Sequence, residues 1–145
     1  MTNQEILEKA KEMDKKHKKT IALDVDGVLA HYDTWKGSDH FGEPRPGAVE
    51  FTKKLSETYS VMIFTTRTKV DMFGREEGDT VDKLTLRVKE WLDQHGFSYD
   101  SIYAGQGKPF FAALVDDRAI NIVKNPTELD FQIALHDIRF LVERE

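Results

Sequence analysis

The 145-residue sequence contains no cysteine. That excludes a disulfide framework and a thiolate zinc site, and it fits a reducing compartment. No apolar stretch reaches membrane-spanning length, and Met1-Thr2-Asn3-Gln4-Glu5 lacks the cationic then apolar pattern of a signal peptide. A cytoplasmic protein that does not enter a membrane is therefore expected. Basic residues are not in excess: 21 Lys and Arg stand against 26 Asp and Glu, for a formal net charge of -5. This argues against general nucleic-acid binding. No repeat, low-complexity tract or interdomain linker breaks the chain, so residues 1–145 are expected to form a single domain around one core.

What the sequence does contain is two apolar runs that stop at acids. Ile21-Ala22-Leu23 leads into Asp24-Val25-Asp26-Gly27, and Ala112-Ala113-Leu114-Val115 leads into Asp116-Asp117. Short aliphatic runs that end this way read as buried strands delivering carboxylates to loops. In a parallel sheet, ligands bind at the carboxyl ends of the strands. If both strands share one sheet, four carboxylates converge there, and each like pair at about 4 Å costs on the order of 4 kcal/mol at an effective dielectric of about 20. A divalent cation among Asp24, Asp26, Asp116 and Asp117 relieves that repulsion, and all-oxygen ligands make Mg²⁺ the expected ion.

The remaining segments supply candidate walls and a core. Residues 4–16 set Ile6, Leu7, Ala10 and Met13 on one face of an N-terminal helix, which runs through the basic stretch ending at Lys19 into the first strand. Residues 31–46 show neither helical nor strand period and read as a small flap loop over the strand ends. Its Tyr32, Trp35, Lys36 and Arg45, with His31, His40 and Phe41, are candidates for substrate contact, while Trp35 and Phe41 could equally pack the loop onto the domain. Pro46-Gly47 opens a predicted helix with Ala48, Phe51 and Leu55 on one face. A predicted strand over 61–64 ends in Thr65-Thr66-Arg67, whose hydroxyls and guanidinium suit phosphate oxygens.

A second loop, with Met72, Phe73 and Arg75, is expected over 69–78 beside the cleft. Next comes a predicted helix over 80–95, capped by Asp79 or Thr80 and stopped by Gly96. Its face of Val81, Leu84, Val88, Trp91 and Leu92 makes Trp91 a core residue. A strand over 99–104 and a loop carrying Lys108 precede the fourth strand. Thr127 then caps a last helix with Leu129, Ile133 and Phe140 on one side, although 130–136 also alternates like a strand. Alternating strands and helices predict an α/β fold with a mostly parallel central sheet and helices on both faces.

Together these residues carry a family resemblance. Asp24-Val25-Asp26-Gly27-Val28-Leu29 resembles the first motif of the haloacid dehalogenase-like phosphohydrolases, Thr65 the second, Lys108 the third and Asp116-Asp117 the fourth, in matching order over roughly residues 20 to 125. The resemblance implies a Rossmann-like three-layer fold of the small capless type, with the first strand flanked by the second and fourth. It also implies a Mg²⁺-dependent phosphomonoesterase. In that scheme Asp24 is the nucleophile that forms an aspartyl-phosphate, Asp26 the general acid and base, and Thr65 and Lys108 stabilise the transition state. The metal is held by the Asp24 carboxylate, the Asp26 carbonyl and Asp116 or Asp117. The implied substrate is a small phosphorylated metabolite, a nucleotide or a sugar phosphate; residues 24–30 and 114–122 are similar in style to 5'(3')-deoxyribonucleotidases. Two alternatives keep the fold: a non-catalytic module that binds a phosphate ligand or partner, and a phosphotransferase whose acceptor is not water.

Overall fold

A computed structural model describes residues 1–16, 18–71 and 76–143, with the side chains of 10–16 left aside. Met72, Phe73 and Arg75 lie outside the described residues, as do His17 and the side chains of Ala10 and Met13. The chain divides into two compact units, Met1–Val115 and Asp116–Glu145.

The first unit holds α1 (Asn3–Lys16), β1 (Thr20–Leu23), α2 (Ala48–Thr58), β2 (Ser60–Ile63), a short 3₁₀ turn (Thr66–Thr68), α3 (Val81–Gln94), β3 (Ser101–Ile102) and β4 (Ala113–Val115). The strands form one sheet in the order β3-β2-β1-β4, and every pairing is parallel. The expected α/β class is therefore observed, with β1 flanked by β2 and β4. Leu23 stands opposite Ile63 on one side and Val115 on the other, so three strands end in register at one edge of the sheet.

The core forms where continuous aliphatic runs meet the apolar stripes of α2 and α3. Ile21, Leu23, Val61 and Ile63 pack with Ala48, Val88, Trp91, Leu92 and Phe97. Each fully buried Leu, Ile or Val contributes about 1.5–3 kcal/mol of transfer free energy. Trp91 is a core residue as expected, stacked between Phe41 (5.4 Å) and Phe97 (5.1 Å). Thr80 caps α3 by accepting the Lys83 N–H, and Gly96 follows with φ 78°.

Some expected faces are occupied differently. In α2 the buried positions are Ala48 and Thr52, while Phe51 is 40% exposed. The buried threonine is satisfied because its hydroxyl donates to Val49 O (2.9 Å) and accepts the Ser98 N–H (3.1 Å). Ile6 and Leu7 of α1 are exposed. β3 is shorter than expected, and β4 is an edge strand with exposed Ala113 and Leu114.

The second unit ends in α4 (Glu128–Glu143), a helix and not a strand. Thr127 caps it reciprocally with Asp130: the Thr127 N–H donates to the Asp130 carboxylate at 2.8 Å, and the Thr127 hydroxyl accepts the Asp130 N–H at 3.3 Å. That backbone donor, and the Thr127 hydroxyl behind it, hold the Asp130 carboxyl below its usual range. Leu129, Ile133 and Phe140 are exposed.

Candidate active site

The site begins where β1 stops. The Asp24 N–H still donates to Val115 O (3.0 Å), and the Phe64 N–H donates to Leu23 O (2.8 Å), so the sheet edge is pinned on both sides of the first acid. Beyond it the chain folds into a tight loop around one carbonyl: Val25 O accepts the N–H groups of Val28 (3.2 Å), Leu29 (2.9 Å) and Ala30 (2.9 Å). The turn needs Gly27, whose φ of 83° lies in the left-handed region. Val25 is fully buried, and the flanking acids Asp24 and Asp26 are each half-buried. An Asp24 carboxylate oxygen accepts the next residue's N–H, from Val25 at 2.8 Å.

β2 ends with equal definition. Thr65 is buried and extended, and its hydroxyl accepts the Arg67 N–H at 3.2 Å, opening the 3₁₀ turn. A hydroxyl that accepts there retains its own proton to donate. Thr66 is exposed. Thr68, fully buried, donates to Thr65 O and Tyr103 O, tying the turn to the segment after β3.

Arg67 was expected to grip phosphate, but its side chain is 4% exposed and bound inside the protein. Its Nε donates to one oxygen of Asp26 (2.7 Å) and its Nη2 to the other (3.0 Å), the two-pronged geometry that guanidinium and carboxylate favour. Nη2 also donates to the backbone carbonyl of His40 in the flap, at 2.8 Å. The guanidinium carbon lies 3.8 Å from the Phe41 ring centroid and 5.1 Å from that of Trp35. Nη1 is buried with no hydrogen-bond partner among the described residues. The two ring faces offset this, since a desolvated cation–π contact is worth about 2 kcal/mol. Removing one partner from such a buried pair costs about 3–5 kcal/mol.

The flap is anchored at its base. Ala30 and Pro44 form an antiparallel bridge, the His31 N–H donates to Glu43 O (2.8 Å), and the Arg45 N–H donates to Leu29 O (2.8 Å). Arg87 on α3 holds the far side, donating to Ser38 of the flap and to Asp79 (3.0 Å). The flap residues expected to meet substrate divide accordingly. Lys36 and Arg45 are exposed, Tyr32 is half-buried, and Trp35 and Phe41 pack against Arg67. A Cβ on Gly42 would sit 1.9 Å from the backbone oxygen of His31. Gly42→Ala is therefore expected to part the flap base and lower stability by about 1–3 kcal/mol. Denaturant titration would measure the loss, and faster hydrogen exchange at the His31 and Arg45 amides would locate it.

Lys108 is exposed in the β3–β4 loop, its Nζ 6.0 Å from the Phe111 ring centroid. Asp116 and Asp117, which follow β4 directly, are each half-buried, and an Asp116 oxygen accepts the Arg118 N–H at 2.7 Å. Sequence reasoning missed Thr68, Arg87 and the close approach at Gly42. Each depends on a partner distant in the chain, and no local pattern announces it.

Sequence comparison bears on this stretch. The family model of NLI interacting factor-like phosphatases matches residues 19–72, from β1 through the flap to the end of the 3₁₀ turn and just beyond. The matched stretch, similar to that phosphatase family, is seated on a parallel sheet with β1 between β2 and β4. Among the described residues there is no large cap domain. No curated protein matches the sequence.

Among solved structures, the chain is similar to a conserved protein from Bacteroides thetaiotaomicron, with 19% identity, 89% of this chain and 93% of that one covered, and a TM-score of 0.48. It is also similar to the D,D-heptose 1.7-bisphosphate phosphatase from B. bronchiseptica, crystallised with magnesium and phosphate, at 23% identity and a TM-score of 0.42. That match covers 59% of this chain and 48% of the other, about half its length. A third similar structure, from Vibrio cholerae, shows 22% identity, 87% and 98% coverage and a TM-score of 0.42. No helix among the described residues is long and apolar enough to cross a membrane.

Proposed function

We propose that the protein hydrolyses small phosphomonoesters, nucleotides or sugar phosphates, through a phosphorylated Asp24, in the cytoplasm. The reading rests on one observation: β1 and β2 end in register at Leu23 and Ile63, so the chain leaves a single sheet edge through the acids Asp24 and Asp26 and through the buried hydroxyl of Thr65. An oxygen of the Asp24 carboxylate attacks phosphorus while the bond to the leaving oxygen breaks. The departing oxygen takes a proton from the Asp26 carboxyl. Asp26, now a carboxylate, removes a proton from water, whose oxygen attacks the aspartyl-phosphate and frees inorganic phosphate and Asp24. Thr65 donates a hydrogen bond to a phosphoryl oxygen, and Lys108 supplies a point charge where negative charge builds. Thr66, Tyr32, Trp35, Lys36 and Arg45 line the approach of the substrate's remaining groups.

The donor set suits a hard dication. Asp24, Asp116 and Asp117 carry carboxylates and Asp26 a backbone carbonyl, a donor set of oxygens with neither sulfur nor imidazole. We propose Mg²⁺ there; when bound it screens the repulsion between a carboxylate nucleophile and a phosphate dianion.

The test is a hydrolysis screen with purified protein and Mg²⁺ against an aryl phosphate, nucleotides and sugar phosphates. Turnover of the aryl phosphate is expected, with preference appearing among the larger esters. Phosphate binding without turnover of any ester would overturn the reading in favour of a binding module. Transfer to an added alcohol in place of water would overturn it in favour of a phosphotransferase.

A further inference from the structure

We propose that Arg67 is a positioning residue that makes proton transfer by Asp26 depend on the seated flap; this rests on the reading of Asp26 as general acid and base. Among the described residues, every group that holds the guanidinium, apart from Asp26 itself, belongs to the flap. His40 takes its Nη2 through a backbone carbonyl at 2.8 Å, and Phe41 and Trp35 cover it with their rings. Phe41 in turn stacks on Trp91 of the core at 5.4 Å, so the flap's hold on Arg67 is anchored and not incidental.

On its other side the same guanidinium grips both oxygens of Asp26. A carboxylate fixed by two donors from one planar group has its rotation set by that group. In the first step one Asp26 oxygen carries the proton for the leaving group while the other keeps its bond to Arg67. In the second step both oxygens accept again, and one takes the proton of water. Arg67 exchanges no proton and touches no substrate. It governs where the Asp26 proton is delivered.

Leaving-group dependence separates this role from simple scaffolding, because a nitrophenolate leaves without a proton and an alkoxide does not. Arg67→Met is expected to lower kcat/KM for a simple alkyl phosphate about 100-fold, within the range that proton transfer contributes. For nitrophenyl phosphate kcat/KM should stay within a few fold, because it reports only the steps through Asp24 phosphorylation. The kcat for that ester should still fall, with a burst of nitrophenol, because hydrolysis of the aspartyl-phosphate needs Asp26 as base.

Arg67→Lys, which keeps charge and bulk but cannot grip with two prongs, should show the same pattern and guards against misfolding of the methionine variant. Asp26→Asn should reproduce it, and Arg67→Met added to Asp26→Asn should change little further. Equal loss of kcat/KM for both esters in both Arg67 variants, while Asp26→Asn remains selective, would overturn the proposal and leave the phosphatase reading standing. An unselective Asp26→Asn would overturn the assignment of Asp26 and the proposal with it.

Discussion

Asp24→Asn is expected to reduce kcat on every phosphomonoester by a factor on the order of 10⁴ or more while the protein stays folded. The substitution removes the only carboxylate assigned to attack phosphorus, and an amide oxygen is too poor a nucleophile to replace it. Structural cost should be small. The Val25 N–H now bonded to an Asp24 oxygen finds an amide oxygen in the same place, and the backbone bonds from Asp24 to Val115 and from Phe64 to Leu23 do not involve the side chain. Loss should be uniform across leaving groups, in contrast to the selective loss expected at Arg67. Steady-state kinetics with thermal melting checks both parts, and near-normal kcat in a well-folded variant would remove Asp24 from the nucleophile role.

The contrast between Asp24 and Arg67 also marks what a sequence can reveal. Asp24 announces itself locally: an aliphatic run that stops at an acid names both a strand and the edge where it ends. The same kind of signal gave β2 and the buried stripe of α3, including Trp91, because hydrophobic period tracks burial when the buried residues are apolar. It failed in α2, where the core position is Thr52 and Phe51 is exposed. A threonine can be buried only because Val49 and Ser98 meet its hydroxyl, and those partners are set by tertiary structure.

Arg67 is the larger case. Next to Thr65 it reads as a phosphate ligand, yet its carboxylate partner lies 41 residues earlier and its rings come from the flap. Residue type indicated that Arg67 would bind an oxyanion. Which oxyanion was decided by packing, since an arginine 4% exposed must be paired where it lies.

Removing divalent metal should abolish hydrolysis, and restoring Mg²⁺ should recover it, if the acids after β1 and β4 serve one ion. Activity alone cannot show that those residues are the ligands, so stability supplies the second readout. An ion that binds only the folded chain at a hundredfold excess over its Kd adds about 2.7 kcal/mol, which for a domain of this size raises Tm by roughly 8 °C. Wild-type protein titrated with Mg²⁺ after chelation should show such a rise. Asp24→Ala should lose it. One oxygen of Asp116 is engaged by the Arg118 N–H at 2.7 Å within its own turn, so part of its role is to shape that turn. Asp116→Asn should thus lower the metal-free Tm as well as weaken the Mg²⁺-dependent rise. Full activity in chelated protein, or an undiminished Tm rise in Asp24→Ala, would show that these acids are not a metal site.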